Sequence, residues 1–341
     1  METVHELVML VPGMARSERE RYATRLSDGI EGFLETHRES VQSFRRRSDS
    51  SGRAQFDIRL CNGQQKLVDV VEIFWNDLRP PLEKSWIPFL GYSLVRYWLS
   101  LKQWKAIPKT SRPLQRAFCV GTCFLFVWYV LTLLAILHFT QLLSLFLPTH
   151  TESPIGWLWV GATGLLATGF VTSNIDASYA AFCYLKNREG FCDRVRRRVI
   201  NAFREIGPQF ANYQSITLLA HSFGSVVAVD AIAWIMAEPD PASLLRAFKF
   251  VTAGSPLEFV MSREPAYEKR IRQCVASTLV ENWIDFYALT DSLCSKVPFE
   301  AERKRSLAGI NLGYTEIEAS LGFAHDYYFE HDEVLKAVLN L

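Results

Sequence analysis

Along this chain, short apolar runs alternate with longer stretches whose apolar positions recur every three or four residues, and that alternation predicts the elements. Val4–Val11 (VHELVMLV) is apolar and β-prone and stops at Pro12-Gly13. Ser17–Glu35 reads as a charged amphipathic helix. Val41–Arg47, Ala54–Cys61 and Lys66–Phe74 follow as strands, separated by the turn residues Ser48–Gly52 and Asn62-Gly63. Further on, Ala177–Ile206 predicts one long basic helix that ends at Gly207-Pro208. Ser215–Ala220 is a short apolar strand, and Gly224–Ala237 is apolar at helical spacing. Strands at Phe248–Thr252 and near Asn282–Ala288 come next, and Asp332–Leu341 closes the chain as a helix. Strands alternating with helices predict an α/β fold: a mostly parallel central sheet covered on both faces.

Between the two halves of that pattern lie two runs of another kind. From Ala117 to Leu147 no side chain is charged, and the run is long enough to span a bilayer with some tilt. Ile155–Val171 is shorter, and its Gly161, Gly164, Ala167 and Thr168 would let a second helix approach the first closely. Pro148–Pro154 would be the turn of a transmembrane helical hairpin at 114–172. The hairpin divides the fold into an N-terminal part, 1–113, and a C-terminal part, 173–341. The two parts of one sheet can assemble only on the same side of a membrane, which requires an even number of spans. Arg96, Lys102, Lys105, Lys109, Arg112 and Arg116 precede the uncharged run, whereas the turn carries no Lys or Arg, so the positive-inside rule places both parts in the cytoplasm. The acidic start METVHELVML does not read as a signal peptide. The expectation is an integral protein of a bacterial inner membrane with its larger part facing the cytoplasm. The aromatic and basic segment 86–113, with Trp86–Trp104 at its heart, reads as an interfacial helix, a lid over a site, or simple core packing.

Composition narrows the classes. The chain has 341 residues, 13% of them aromatic, and a net charge of +1. A core of that aromatic content excludes extended disorder, and balanced charge argues against a nucleic-acid partner. Seven cysteines without CxxC pairs suggest reduced thiols and offer no metal site.

The chemistry is concentrated at Ile216–Val227, ITLLAHSFGSVV. A strand runs into Ala220-His221-Ser222-Phe223-Gly224 and a helix follows, which is the nucleophile-elbow pattern with alanine at the first small position. Such a turn is tight, so the flanking residues must be small, and it sets a serine hydroxyl at a helix N-terminus. With LVMLVPGM, VEIFWNDL, ITLLAHSFGSVVAVDAI and FVTAGSPLEF, the chain resembles the α/β-hydrolase superfamily, and within it the lipase- and esterase-like serine hydrolases of bacteria. The hairpin departs from that family.

The resemblance implies a triad in the order Ser, acid, His. Ser222 would be the nucleophile. Asp291, just past a strand end, would be the acid, with Asp285 inside the strand as the alternative. His325, in a loop before the last helix, would be the base, with His331 as its competitor. His221 reads as a structural histidine, and Asp230 as a buried or solvated helix residue too far along its helix to orient His325. By the same resemblance the oxyanion hole would be the backbone N–H groups of Met14 and Phe223. The expected activity is cleavage of carboxylic esters, lipid or acyl esters foremost, beside the bilayer and without cofactor or metal. An acyltransferase or thioesterase with the same triad, and a non-catalytic membrane scaffold, are the alternatives.

Overall fold

The computed structural model describes residues 3–14, 18–48, 53–81, 169–238, 246–291, 307–313 and 327–341, with 123, 126, 127, 130, 134, 294, 296, 297 and 325. Its strands are β1 (Thr3–Val11), β2 (Val41–Ser48), β3 (Ala54–Leu60), β4 (Gln65–Glu72), β5 (Ser215–His221), β6 (Phe248–Ala253), β7 (Val280–Tyr287) and β8 (Leu307–Asn311). They form one sheet in the order β2-β3-β4-β1-β5-β6-β7-β8. From β4 through β1 to β8 every pairing is parallel, whereas β3 runs antiparallel to both β2 and β4.

Helices cover both faces, as a sheet with apolar residues on both sides requires. α1 (Arg21–Thr36) repeats Tyr22, Leu26, Ile30 and Phe33 on one side and packs them beneath Val8, Leu10, Val68 and Val70. The last helix, α7 (Asp332–Leu339), adds Val334, Leu335 and Val338 to that layer. The opposite layer holds α2 (Gly169–Leu185), α3 (Phe191–Ile206), α4 (Gly224–Ile235), α5 (Leu257–Arg263) and α6 (Ala266–Ala276). α3 buries Phe191, Val195, Val199 and Phe203 and turns its arginines outward, while α4 is apolar nearly throughout because it lies between β5 and its neighbours. Its one charged residue, Asp230, is buried and accepts from Tyr184 (2.9 Å), Tyr267 (3.2 Å), the Cys192 thiol (3.2 Å) and Arg270. It thus ties α2, α3 and α6 to α4, which fits the buried-residue reading.

The long basic helix expected at Ala177–Ile206 is two helices. The chain breaks at Lys186–Gly190, where Asn187, Glu189 and Gly190 take positive φ of 46°, 51° and 69°. Asn187 then restarts the chain: its side chain accepts from the Asp193 amide and donates to the Asp193 carboxylate in the first turn of α3. α2 also begins earlier than the boundary drawn at 173. The expected hairpin lies outside the described residues except for the start of α2 and five isolated helical positions, as does the segment 86–113. Among the described residues no helix is long and apolar enough to cross a membrane.

Candidate active site

The parallel strands end together on one side, at Val11, His221, Ala253 and Tyr287, and the segments that carry Ser222, Asp291 and His325 leave from this edge. Open parallel sheets gather their ligand-handling residues at such a carboxyl edge.

β5 leads directly into α4 through Ser222 and Phe223. Ser222 sits at φ 54°, a left-handed conformation that costs a non-glycine residue about 1–2 kcal/mol. Two hydrogen bonds hold it there: its amide donates to the Ala253 carbonyl at 2.9 Å, and its own carbonyl accepts from the Ser225 hydroxyl at 2.7 Å. Gly224 is required by proximity, since a Cβ on it would lie 2.3 Å from the Val11 carbonyl oxygen. Gly13 is required on the other side, where a Cβ would come within 2.9 Å of the Ser222 Cβ. The side chain is thereby pushed out of the sheet at the N-terminus of α4.

The structure brings the three expected side chains into one hydrogen-bonded chain. Ser222 Oγ lies 2.7 Å from His325 Nε2, and His325 Nδ1 lies 2.7 Å from Asp291 Oδ2. An ionised carboxylate only accepts, so Nδ1 carries the proton and Nε2 presents its lone pair to the serine hydroxyl. Asp291 is reached by a turn off β7 in which its amide donates to the Ala288 carbonyl, and its side chain is almost fully buried. His325 is more open, with 14% of its side chain accessible.

The other candidates lie elsewhere. Asp285 is buried within β7 and accepts from the Thr252 hydroxyl (2.7 Å) and the Val297 amide (2.8 Å). Burial pushes its pKa up to about 6, against the pull of those two bonds. His331 caps α7, its Nδ1 accepting from the Glu333 amide at 3.3 Å. His221 is buried beside the site, and its Nε2 lies 2.9 Å from the His325 carbonyl oxygen.

The two amides expected to form an anion-binding pair flank the serine. Phe223 N–H lies directly ahead of α4, and Met14 follows Gly13 at the end of β1. Among the described residues neither amide is bonded to a backbone carbonyl outside the helices and strands. An N–H at a helix start, as Phe223 has, favours developing negative charge.

Two further side chains support this arrangement and were not singled out in the sequence. Trp75 is fully buried and donates from its indole N–H to the Pro12 carbonyl at 3.1 Å, anchoring the loop that bears Gly13 and Met14. Its place in VEIFWNDL, just past a predicted strand, was the available signal. Tyr328, also buried, donates to Asp291 Oδ2 at 3.1 Å, and the Cys294 thiol touches its hydroxyl at 3.1 Å. Nothing local in the sequence marks Tyr328, because its partner comes from another loop. No family model matches the chain, and no curated protein or solved structure matches it either.

Proposed function

We propose that this protein is a serine hydrolase of the α/β-hydrolase type that cleaves carboxylic esters. The observation that carries the reading is the chain Ser222–His325–Asp291, bonded at 2.7 Å twice and set on a strained strand-to-helix turn. Ser222 Oγ attacks the ester carbonyl carbon while its proton passes to His325 Nε2. Asp291 holds the imidazole in the required tautomer and stabilises the imidazolium. The tetrahedral oxyanion is met by the Phe223 and Met14 amides, and donors of this kind contribute about 3–4 kcal/mol each in comparable sites. His325 then returns the proton to the leaving alkoxide, which departs as an alcohol and leaves an acyl group on Ser222. Water, deprotonated by His325, hydrolyses that acyl-enzyme and restores the serine. All of these steps use protein groups and water.

A bilayer is the proposed setting and a lipid or acyl ester the proposed substrate class. The uncharged run Ala117–Leu147 supports this, as do Phe126, Val127, Val130 and Leu134, which are helical and 39–68% exposed at a spacing that places them along one side of a helix. In the test, membranes and soluble fractions from cells producing the full chain are treated with a fluorophosphonate, beside Ser222→Ala. The wild type should label in the membrane fraction and the variant not at all. An unlabelled but folded wild type overturns the hydrolase assignment, and labelling confined to the soluble fraction overturns the bilayer.

A further inference from the structure

The nucleophile and the base reach the site from very different supports. Ser222 follows directly on a central strand, whereas His325 takes a 3-10 helical position just ahead of the short 3-10 helix Tyr327–Glu330. A productive serine–histidine bond needs those two backbones held at a set separation, since a misplacement of about 1 Å costs about 100-fold in rate.

His221 meets that need. It is the last residue of β5, pairs in register with Ala253, is 2% exposed, and adjoins Ser222 in the chain. Its Nε2 lies 2.9 Å from the main-chain carbonyl oxygen of His325. A carbonyl only accepts, so the His221 proton is on Nε2 and Nδ1 is bare; Nδ1 is buried and has no hydrogen-bond partner among the described residues. The ring is fixed by packing against Phe329, Tyr22 and Tyr328, with centroids 5.0, 5.8 and 6.1 Å away. Gly13 closes the remaining side, where a Cβ would approach Nδ1 to 3.3 Å. A ring so enclosed cannot swing, and its N–H therefore acts as a fixed peg for the segment bearing the base. Burial also keeps the ring neutral by pushing its pKa down to about 3, so it adds no charge 5.2 Å from the imidazole that must become cationic.

We propose that His221 is a positioning residue, which ties the backbone of His325 to the elbow that carries Ser222 and so preserves their hydrogen bond during turnover. This rests on the serine-hydrolase assignment above. It is tested by the fluorophosphonate labelling rate of the full chain as wild type, His221→Gln, His221→Asn and His221→Leu, with the thermal midpoint measured on each sample. The amide nitrogen of glutamine lies as many bonds from Cβ as histidine Nε2 and keeps the donor in place. Asparagine falls one bond short, and leucine has no donor. Asparagine and leucine should slow labelling about 10- to 100-fold, and glutamine should recover most of that loss. If leucine prevents folding, the asparagine–glutamine pair decides alone. Folded asparagine and leucine variants that label at the wild-type rate overturn the inference. So does a glutamine variant as slow as the other two, because packing and not the N–H would then be responsible. A wild type that labels normally while the variants behave in either way leaves the hydrolase assignment standing; a folded wild type that does not label removes both.

Discussion

The two ends of the central sheet both bury charged and polar side chains, and they use them in opposite ways. At the amino ends of β1, β4 and β6, Glu6 and Lys66 form a buried ion pair at 3.2 Å. Lys66 also donates to the carbonyls of Leu339 (3.0 Å) and Asn340 (2.9 Å), and Lys249 donates to the Ala337 carbonyl and the Asn340 side chain. Two ammonium groups thus meet the C-terminal carbonyls of α7, where the helix dipole is negative. At the carboxyl ends the groups are arranged differently. Ser222 is strained, His325 keeps an accessible edge, and among the described residues the Phe223 and Met14 amides are not bonded to a backbone carbonyl outside the helices and strands and His221 Nδ1 has no partner. One end uses its ammonium groups to anchor the last helix, with Glu6 Oε2 left over among the described residues; the other holds a strained serine bonded to a histidine whose side chain is partly accessible. Buried charge alone therefore does not identify a site. What distinguishes one is buried charge coupled to backbone strain and to a partly accessible partner.

That comparison can be broken most forcefully by Asp291→Asn. It should lower the labelling rate by about 10³–10⁴-fold, because the imidazole loses its tautomer and its counter-charge while the fold persists. Labelling within a few-fold of wild type would sink the triad. Next in size is Lys66→Met at the other end, which strands Glu6 as a buried unpaired charge. It should cost about 3–5 kcal/mol in urea unfolding, with the labelling rate of the folded protein unchanged. A slowed rate at full stability would mean that the two ends are coupled.

The last contrast lies in the pH dependence, where the two ends share a sign and differ in window. His221 is held at about 3, below the ordinary 6.5, so between those values the unfolded chain binds the extra proton. The stability attached to its neutral form is complete above pH 6.5 and falls, by an amount on the order of a few kcal/mol, as pH drops towards 3. Lys249 is pushed down to about 8, first by burial and further by the charge of Lys66, against the attraction of Glu6. Between pH 8 and 10.5 the unfolded chain again binds more protons, so this group raises stability as pH rises through that window. Urea midpoints measured across pH should lose the acid slope in His221→Gln and the alkaline rise in Lys249→Met. Unchanged slopes in either variant would show that other groups set that limb.

Much of this was written locally. β1, β5, β6 and β7 were legible because their apolar runs are short and end at Pro12-Gly13, at the serine turn, at Gly254-Ser255 and before Asp291. Ser222 was legible because a small residue must flank it on each side of a tight turn. The break at Asn187–Gly190 was not, because no proline marks it and the apolar spacing of α2 and α3 runs on across it. The last strand, β8, was also missed: LAGIN is brief, and glycine dilutes its β-character.

The amino-acid sequence by itself determined the alternation of strands and helices and the small residues on either side of Ser222, since each depends on residue type and spacing along the chain. The order serine, acid, histidine followed from the family resemblance. Only the tertiary structure decided that β3 runs against its neighbours, that Asp291 and not Asp285 meets His325, and that His221, Tyr328 and Trp75 buttress the site. Those outcomes depend on which distant segments share an edge of the sheet and on which side chain lies within about 3 Å of which carbonyl. Such distances are set when the layers pack, and no periodicity in the sequence encodes them.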